Sequence, residues 1–374
     1  MYYTYIQPSD LWYNLTCMKR FLRKLFSKVT LIILICALAL LAFFYRDWIE
    51  KQVMKAKGTY LIYKGDQAYS QDNMAKTLDY YKEGLKLYPE HYEAWFNLGN
   101  IYAVYEDYFS AVDAYENAIK YNPKFVMARM NLGIVYSEDL GFFDEAIEQF
   151  DTVTQIKLFK LWIPFVFSNV KSVKTNRGLA YYNKGVAYKQ KAMYLPLDKR
   201  YLVYTYLGNA IEAYEKSLKF LKKNYDVRYN KAVAHHLRGE YREAGLEYCK
   251  AINIEPMKFE AHYNLAVLLR QLNRHRDSIN ELHKAAILIL EEPDSSTLES
   301  TYIFNLLNDA TRKFITSDEY YTQKLTDEPL GNISYTYVNG RIVADEEFDK
   351  AILKNFQTCS GLDYFKEYTE EEEE

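Results

Sequence analysis

Three glycines, Gly65, Gly99 and Gly133, are separated by two intervals of 34 residues, and Pro89 and Pro123 share that interval. The pairs Ala232/Ala266 and Ala244/Ser278 carry it toward the other end of the chain. A fixed period of this length marks one supersecondary unit copied many times. Such a unit cannot bury its apolar face alone, so the chain folds by stacking copies rather than by enlarging one core. A length of 374 residues leaves room for an array of this kind.

The most regular copy, Tyr92 to Phe125, reads YEAWFNLGNIYAVYEDYFSAVDAYENAIKYNPKF. It resembles the tetratricopeptide-repeat (TPR) family through Trp95, Leu98, Gly99, Tyr102, Ala111, Tyr115, Ala118 and Pro123, with Tyr115 standing where the family more often has phenylalanine. Each choice has a mechanical reason. Gly99 and Ala111 are small where the two helices cross, Tyr102 and Tyr115 fill the volume beside them, and Pro123 cannot continue a helix. Small-beside-large packing also accounts for much of a chain that holds 38 tyrosines.

Six units follow from the spacing, two of them degenerate. The first, 58–91, keeps Gly65, Tyr81 and Pro89 but has Thr77 and Gly84 at its small positions. The third keeps Leu132, Gly133 and Tyr136, then gains one residue before Ala146 and Phe150, which we place in the turn at Gly141. The fourth restarts at Gly185 and Tyr188, but its second helix, with Ala210, Tyr214 and Ser217, arrives about 13 residues late. Units 225–258 and 259–292 return to strict spacing. A cap is expected at 297–315, because an array must cover its last apolar face. ISYTYVNGRIV at 333–343 alternates around Asn339-Gly340 and predicts a short hairpin, ahead of an acidic, solvated tail.

The resemblance implies a groove lined by the first helix of each pair. Its fifth and ninth positions are apolar or aromatic for the most part: Phe96, Met130, Tyr182, Tyr229 and Tyr263, then Asn100, Ile134, Val186, Val233 and Val267. Its sixth position is Asn97, Asn131, Asn183, Asn230 and Asn264, a row of amides able either to bind an extended partner segment or to serve packing alone. Ile62, Phe96, Met127 and Asn131 occupy the places where chaperone-binding relatives hold a cationic clamp, so acidic chaperone tails are disfavoured. The apolar connection LFKLWIPFVFSNV, 158–170, either packs back on the array or exposes Trp162 and Phe165 as a docking patch.

Near the N-terminus, VTLIILICALALLAFFY at 29–45 is uncharged, and about 1.5 Å per residue makes it roughly 26 Å long, which reads as one uncleaved transmembrane anchor. Lys19, Arg20, Arg23, Lys24 and Lys28 precede it without an acid, so the N-terminus is expected on the cytoplasmic side and the repeats in a bacterial periplasm. Translation is expected to begin at Met18, since residues 1–17 hold no cation. Cys17, Cys36, Cys249 and Cys359 show neither metal-ligand spacing nor a disulfide framework.

The expected layout is an all-α TPR solenoid of about six helix pairs behind one transmembrane helix, with a short mixed tail. It comprises a cytoplasmic segment 1–28, anchor 29–45, helical linker 46–57, units 58–160, apolar connection 161–177, units 178–292, capping helix 293–316 and extension 317–374. No phosphate loop, nucleophile elbow or zinc-protease motif occurs, so no enzyme, cofactor or metal is expected, and a net charge of -3 gives no reason to expect nucleic acid. The partners expected are proteins and, through the anchor, a membrane. The layout is similar to the TPR proteins of the spirochaete periplasmic flagellar collar, which implies a scaffold for a multiprotein envelope machine. The other reading is an anchored receptor or chaperone that captures clients during secretion or envelope assembly.

Overall fold

The computed structural model describes residues 18–20, 23, 28–156, 167–291, 302–303, 305–307, 309, 336–338 and 341–343. These form α1 (Lys28–Phe44), α2 (Arg46–Ser70), α3 (Met74–Leu87), α4 (Tyr92–Val104), α5 (Tyr108–Tyr121), α6 (Val126–Ile134), α7 (Phe143–Gln155) and α8 (Phe167–Met193). They continue with α9 (Val203–Leu218), α10 (Tyr225–Leu237), α11 (Tyr241–Ile254), α12 (Phe259–Gln271) and α13 (His275–Glu291), then β1 (Thr336–Val338) and β2 (Arg341–Val343). The strands pair antiparallel with Tyr337 opposite Ile342, on either side of the expected turn. The chain divides into two compact units, 1–98 and 99–374, with the division inside α4.

From α2 onward the helices come in pairs, and one contact sets the register of most of them. A Cβ placed on Gly65 would lie 2.8 Å from the Tyr81 ring, on Gly99 2.6 Å from Tyr115, on Gly133 2.6 Å from Phe150, and on Gly185 2.5 Å from Tyr214. The missing side chain of each first helix is thus the space that an aromatic ring of the second helix fills. The same ring position is held by Tyr248 in the fifth pair and Leu282 in the sixth, both buried. The proline closing a pair contributes again through its carbonyl. Trp95 donates to Pro89 O at 2.8 Å, Arg129 to Pro123 O at 3.0 Å, and the His262 ring meets Pro256 O at 2.9 Å, always from six residues ahead.

The turn inside each regular pair is closed by a left-handed residue: Asp72, Glu106, Gly239 and Asn273 have φ between 57° and 77°. The next N–H returns to a carbonyl five residues back, as from Asn73 to Ala68 and from Asp107 to Tyr102. In the third pair this corrects the expectation that the extra residue sits in the turn at Gly141. Gly141 is the left-handed residue there, and the extra residue lies upstream, in a π-helical segment Val135–Asp139 that widens the end of the first helix. The closing bond lengthens accordingly, from Phe142 N–H to Tyr136 O, six residues back.

Only glycine adopts positive φ without steric cost, so Glu106→Gly, at an exposed position, is expected to raise stability by about 0.5–1 kcal/mol. Chemical denaturation of the two forms measures this, and a destabilised variant would count against the turn geometry.

The expected anchor, 29–45, is helical as α1. No helix among the described residues is long and apolar enough to cross a membrane, and α1 has 17 residues. Cys249 is buried on α11, and Cys36 is free. Within the expected cap, Ile303 and Leu307 are helical and pack in one cluster with Ala266, Ile279 and Leu282.

Candidate functional site

The asparagine row lies along the first helices, where every member is half-buried. Four of its five amide nitrogens reach the preceding helix pair. In the unit 1–98, Asn97 donates to the Tyr81 hydroxyl at 3.4 Å, and that hydroxyl donates to Asp66 at 2.5 Å. In the unit 99–374, Asn131 donates to Asn100 Oδ1 at 2.8 Å, which also accepts from Tyr115 at 2.8 Å. Asn230 donates to Tyr182 at 3.2 Å, and Asn264 to Tyr229 at 2.6 Å. Lys189 completes the third rung by donating to Asn230 Oδ1.

Between pairs four and six this forms a ladder of alternating phenol and amide. The sixth-position asparagine of one pair meets the fifth-position tyrosine of the pair before it. Burial, the largest cause in each case, pushes the Tyr182, Tyr229 and Tyr263 hydroxyls up to about 12, so they remain neutral. A phenol oxygen that accepts from an asparagine keeps its own proton to donate. Tyr182 and Tyr229 therefore each keep an O–H to donate, while one N–H of Asn230 and one of Asn264 are engaged with them.

The rings are fixed by their neighbours: Tyr229 stacks on Tyr225 at 5.8 Å and 6°, Tyr182 tilts against Tyr214 at 6.1 Å, and Tyr263 meets Tyr302 at 6.4 Å. Asn100, Ile134 and Asn183 are half-buried, as is Phe96 in the unit 1–98. Met130 is 8% exposed and presents less surface than the other fifth-position residues. Trp162 and Phe165 lie outside the described residues. Asn264→Ala, which strips one rung, is expected to cost about 1 kcal/mol in a thermal melt. No loss would show that the Tyr229 contact contributes nothing.

A second feature was not legible beforehand. The delay in pair four is a segment between Met193 and Val203 that includes a 3-10 turn, Leu197–Leu202. With the ends of α8 and α10 and the start of α9 it lines an open concavity of about 400 Å³. Among the described residues, no group of three or more histidine, cysteine or carboxylate side chains is placed to hold a metal.

The tetratricopeptide repeat family matches residues 92–125. No curated protein matches the sequence. Among solved structures, the chain is similar to a tetratricopeptide repeat protein from Parabacteroides merdae, at 17% identity over 80% of this chain and 99% of that one, with a TM-score of 0.49. It is also similar to PilW, described as a widely conserved type IV pilus biogenesis factor, at 14% identity over 64% and 97% of the two chains and a TM-score of 0.47. A third is YrrB, a TPR protein with an unusual peptide-binding site, at 15% identity over 57% and 93% and a TM-score of 0.39. Residues 92–125 match the tetratricopeptide repeat family, and the described residues from Arg46 to Glu291 form successive helix pairs.

Proposed function

We propose that this chain is a membrane-anchored scaffold whose repeats hold protein subunits of a bacterial envelope complex, with the N-terminus in the cytoplasm and the array in the periplasm. The observation carrying the anchor is α1. Its Ile33, Leu34, Ile35, Leu38, Leu40, Phe43 and Phe44 are all between 56% and 77% exposed, and water does not tolerate so bare an apolar helix. At about 1.5 Å per residue its 17 residues span roughly 26 Å. That is short of an average bilayer core of about 30 Å, a mismatch met by local thinning. Tyr45 and Trp48, edge to face at 6.5 Å just beyond it, suit the interface.

The scaffold role rests on the repeats themselves, and the tyrosine hydroxyls of the ladder are the donors that a bound segment would meet. The flagellar motor collar and its stator units are the machine that the architecture resembles most.

The first test is to crosslink cells briefly, solubilise the membranes gently, recover the chain by a C-terminal tag and identify what accompanies it. Motor or stator proteins at near-stoichiometric levels are expected. A broad set of secreted clients would overturn the scaffold in favour of the receptor, and release of the chain by an alkaline wash would overturn the anchor.

A further inference from the structure

The 400 Å³ cavity in the fourth helix pair is walled by Met193, Leu195, Leu197, Val203 and Leu237, with Arg200 as its charged residue. In the regular pairs the corresponding turn is closed within three residues, Gln71–Asn73 in the first pair for example, and needs no such wall. Here the segment leaves apolar surface in water: Leu197 is 81% exposed, Met193 63% and Leu237 51%. Exposed apolar side chains gathered round a concavity mark a contact site rather than ordinary surface.

The charges at the opening say what the contact carries. Asp144 pairs with Lys191, and Glu240 pairs with Arg238, whose guanidinium also lies 4.5 Å from the centre of the Tyr204 ring. Neither acid lines the cavity, where Arg200 is the charged residue. Lys199 and Arg200, both exposed, outnumber Asp198 in the segment itself. The mouth is apolar inside and cationic at its edge.

We propose that this cavity receives a leucine- or phenylalanine-sized side chain of a protein partner at a point where a carboxylate flanks it, the side chain entering beside Leu197 and the carboxylate pairing with Arg200. The site is separate from the asparagine and tyrosine ladder, and it does not depend on the anchor or the compartment. Its failure and theirs are therefore distinguishable.

The full chain in detergent would be titrated into fluorescein-labelled decapeptides that carry a central leucine, phenylalanine or serine between glutamates or between lysines. Leucine or phenylalanine between glutamates is expected to bind at least tenfold more tightly than serine between glutamates or leucine between lysines. Arg200→Glu, an exposed change expected to leave the melting temperature unaltered, should reverse the preference toward lysine flanks. Leu197→Asp should remove binding of both sets. No binding by the wild type, or a charge preference that survives Arg200→Glu, overturns the proposal. So does binding to anionic lipid vesicles without binding to peptides, which would reassign the patch to a membrane surface.

Discussion

Glu281→Gln is expected to destabilise the last helix pair by about 3–5 kcal/mol, the range for removing one partner from a buried ion pair. Glu281 is fully buried, with His262 at 2.6 Å and Lys284 at 2.7 Å, and both partners are nearly as buried. Burial alone would raise its pKa. The hydrogen bond from His262 and the charge of Lys284 overcome that and hold it down to about 2. The amide removes the negative charge that the buried Lys284 ammonium meets at 2.7 Å.

The sign with pH follows. A carboxylate depressed in the fold contributes stability that is present above its unfolded value, about 4.5, and lost as pH falls toward 2. His283 acts in the same direction over a higher window. Burial lowers it from 6.5 to about 3, so it stays neutral in the fold while the unfolded chain binds a proton below 6.5. Urea melts between pH 8 and 3 should show the wild type losing stability progressively below 6.5. His283→Leu should flatten the upper range of that loss and Glu281→Gln the lower range. A wild-type profile flat from pH 8 to 3 would show that neither group is held as described.

Tyr214→Ala is expected to cost about 3–5 kcal/mol, as a large ring leaving a closed core does. The ring is fully buried against Gly185, in a cluster with Leu207, Ala210, Ile211 and Val227 that joins pairs four and five. The opposite change probes the same space. Gly185→Ala puts a methyl 2.5 Å from the ring, and overpacking costs about 1–3 kcal/mol. Combining Gly185→Val with Tyr214→Leu should cost less than the sum of the single changes, because the first restores some of the volume that the second removes. Strict additivity, measured by denaturation of all four forms, would show that the two positions do not share this space.

The register of the pairs was readable because it depends on residue size alone: a glycine marks the close approach, and an aromatic 16 residues later in the first two pairs, 17 in the third and 29 in the fourth marks what fills it. The extra residue in the third pair was readable as a count but not as a place. Sequence spacing does not distinguish a longer turn from the π segment Val135–Asp139. The asparagine row was readable as a row and not as a ladder, since Asn230 meets Tyr182 across 48 residues and Asn264 meets Tyr229 across 35. Such separations become contacts only after the pairs stack. The late second helix of pair four was likewise visible, whereas the cavity it walls depends on apolar side chains such as Leu197 staying outside the core.

The rungs from Tyr182 to Asn264 also determine how the protein bears load. Each one ties a helix pair to its immediate neighbour, so tension applied along the chain meets fasteners in series rather than a single lock. Residues 225–258 and 259–292 should therefore come away in separate steps, each lengthening the chain by about 115 Å at some 3.4 Å per residue, and residues 178–224 by about 160 Å. An array pulled from its two ends would yield by increments and close again when the force drops.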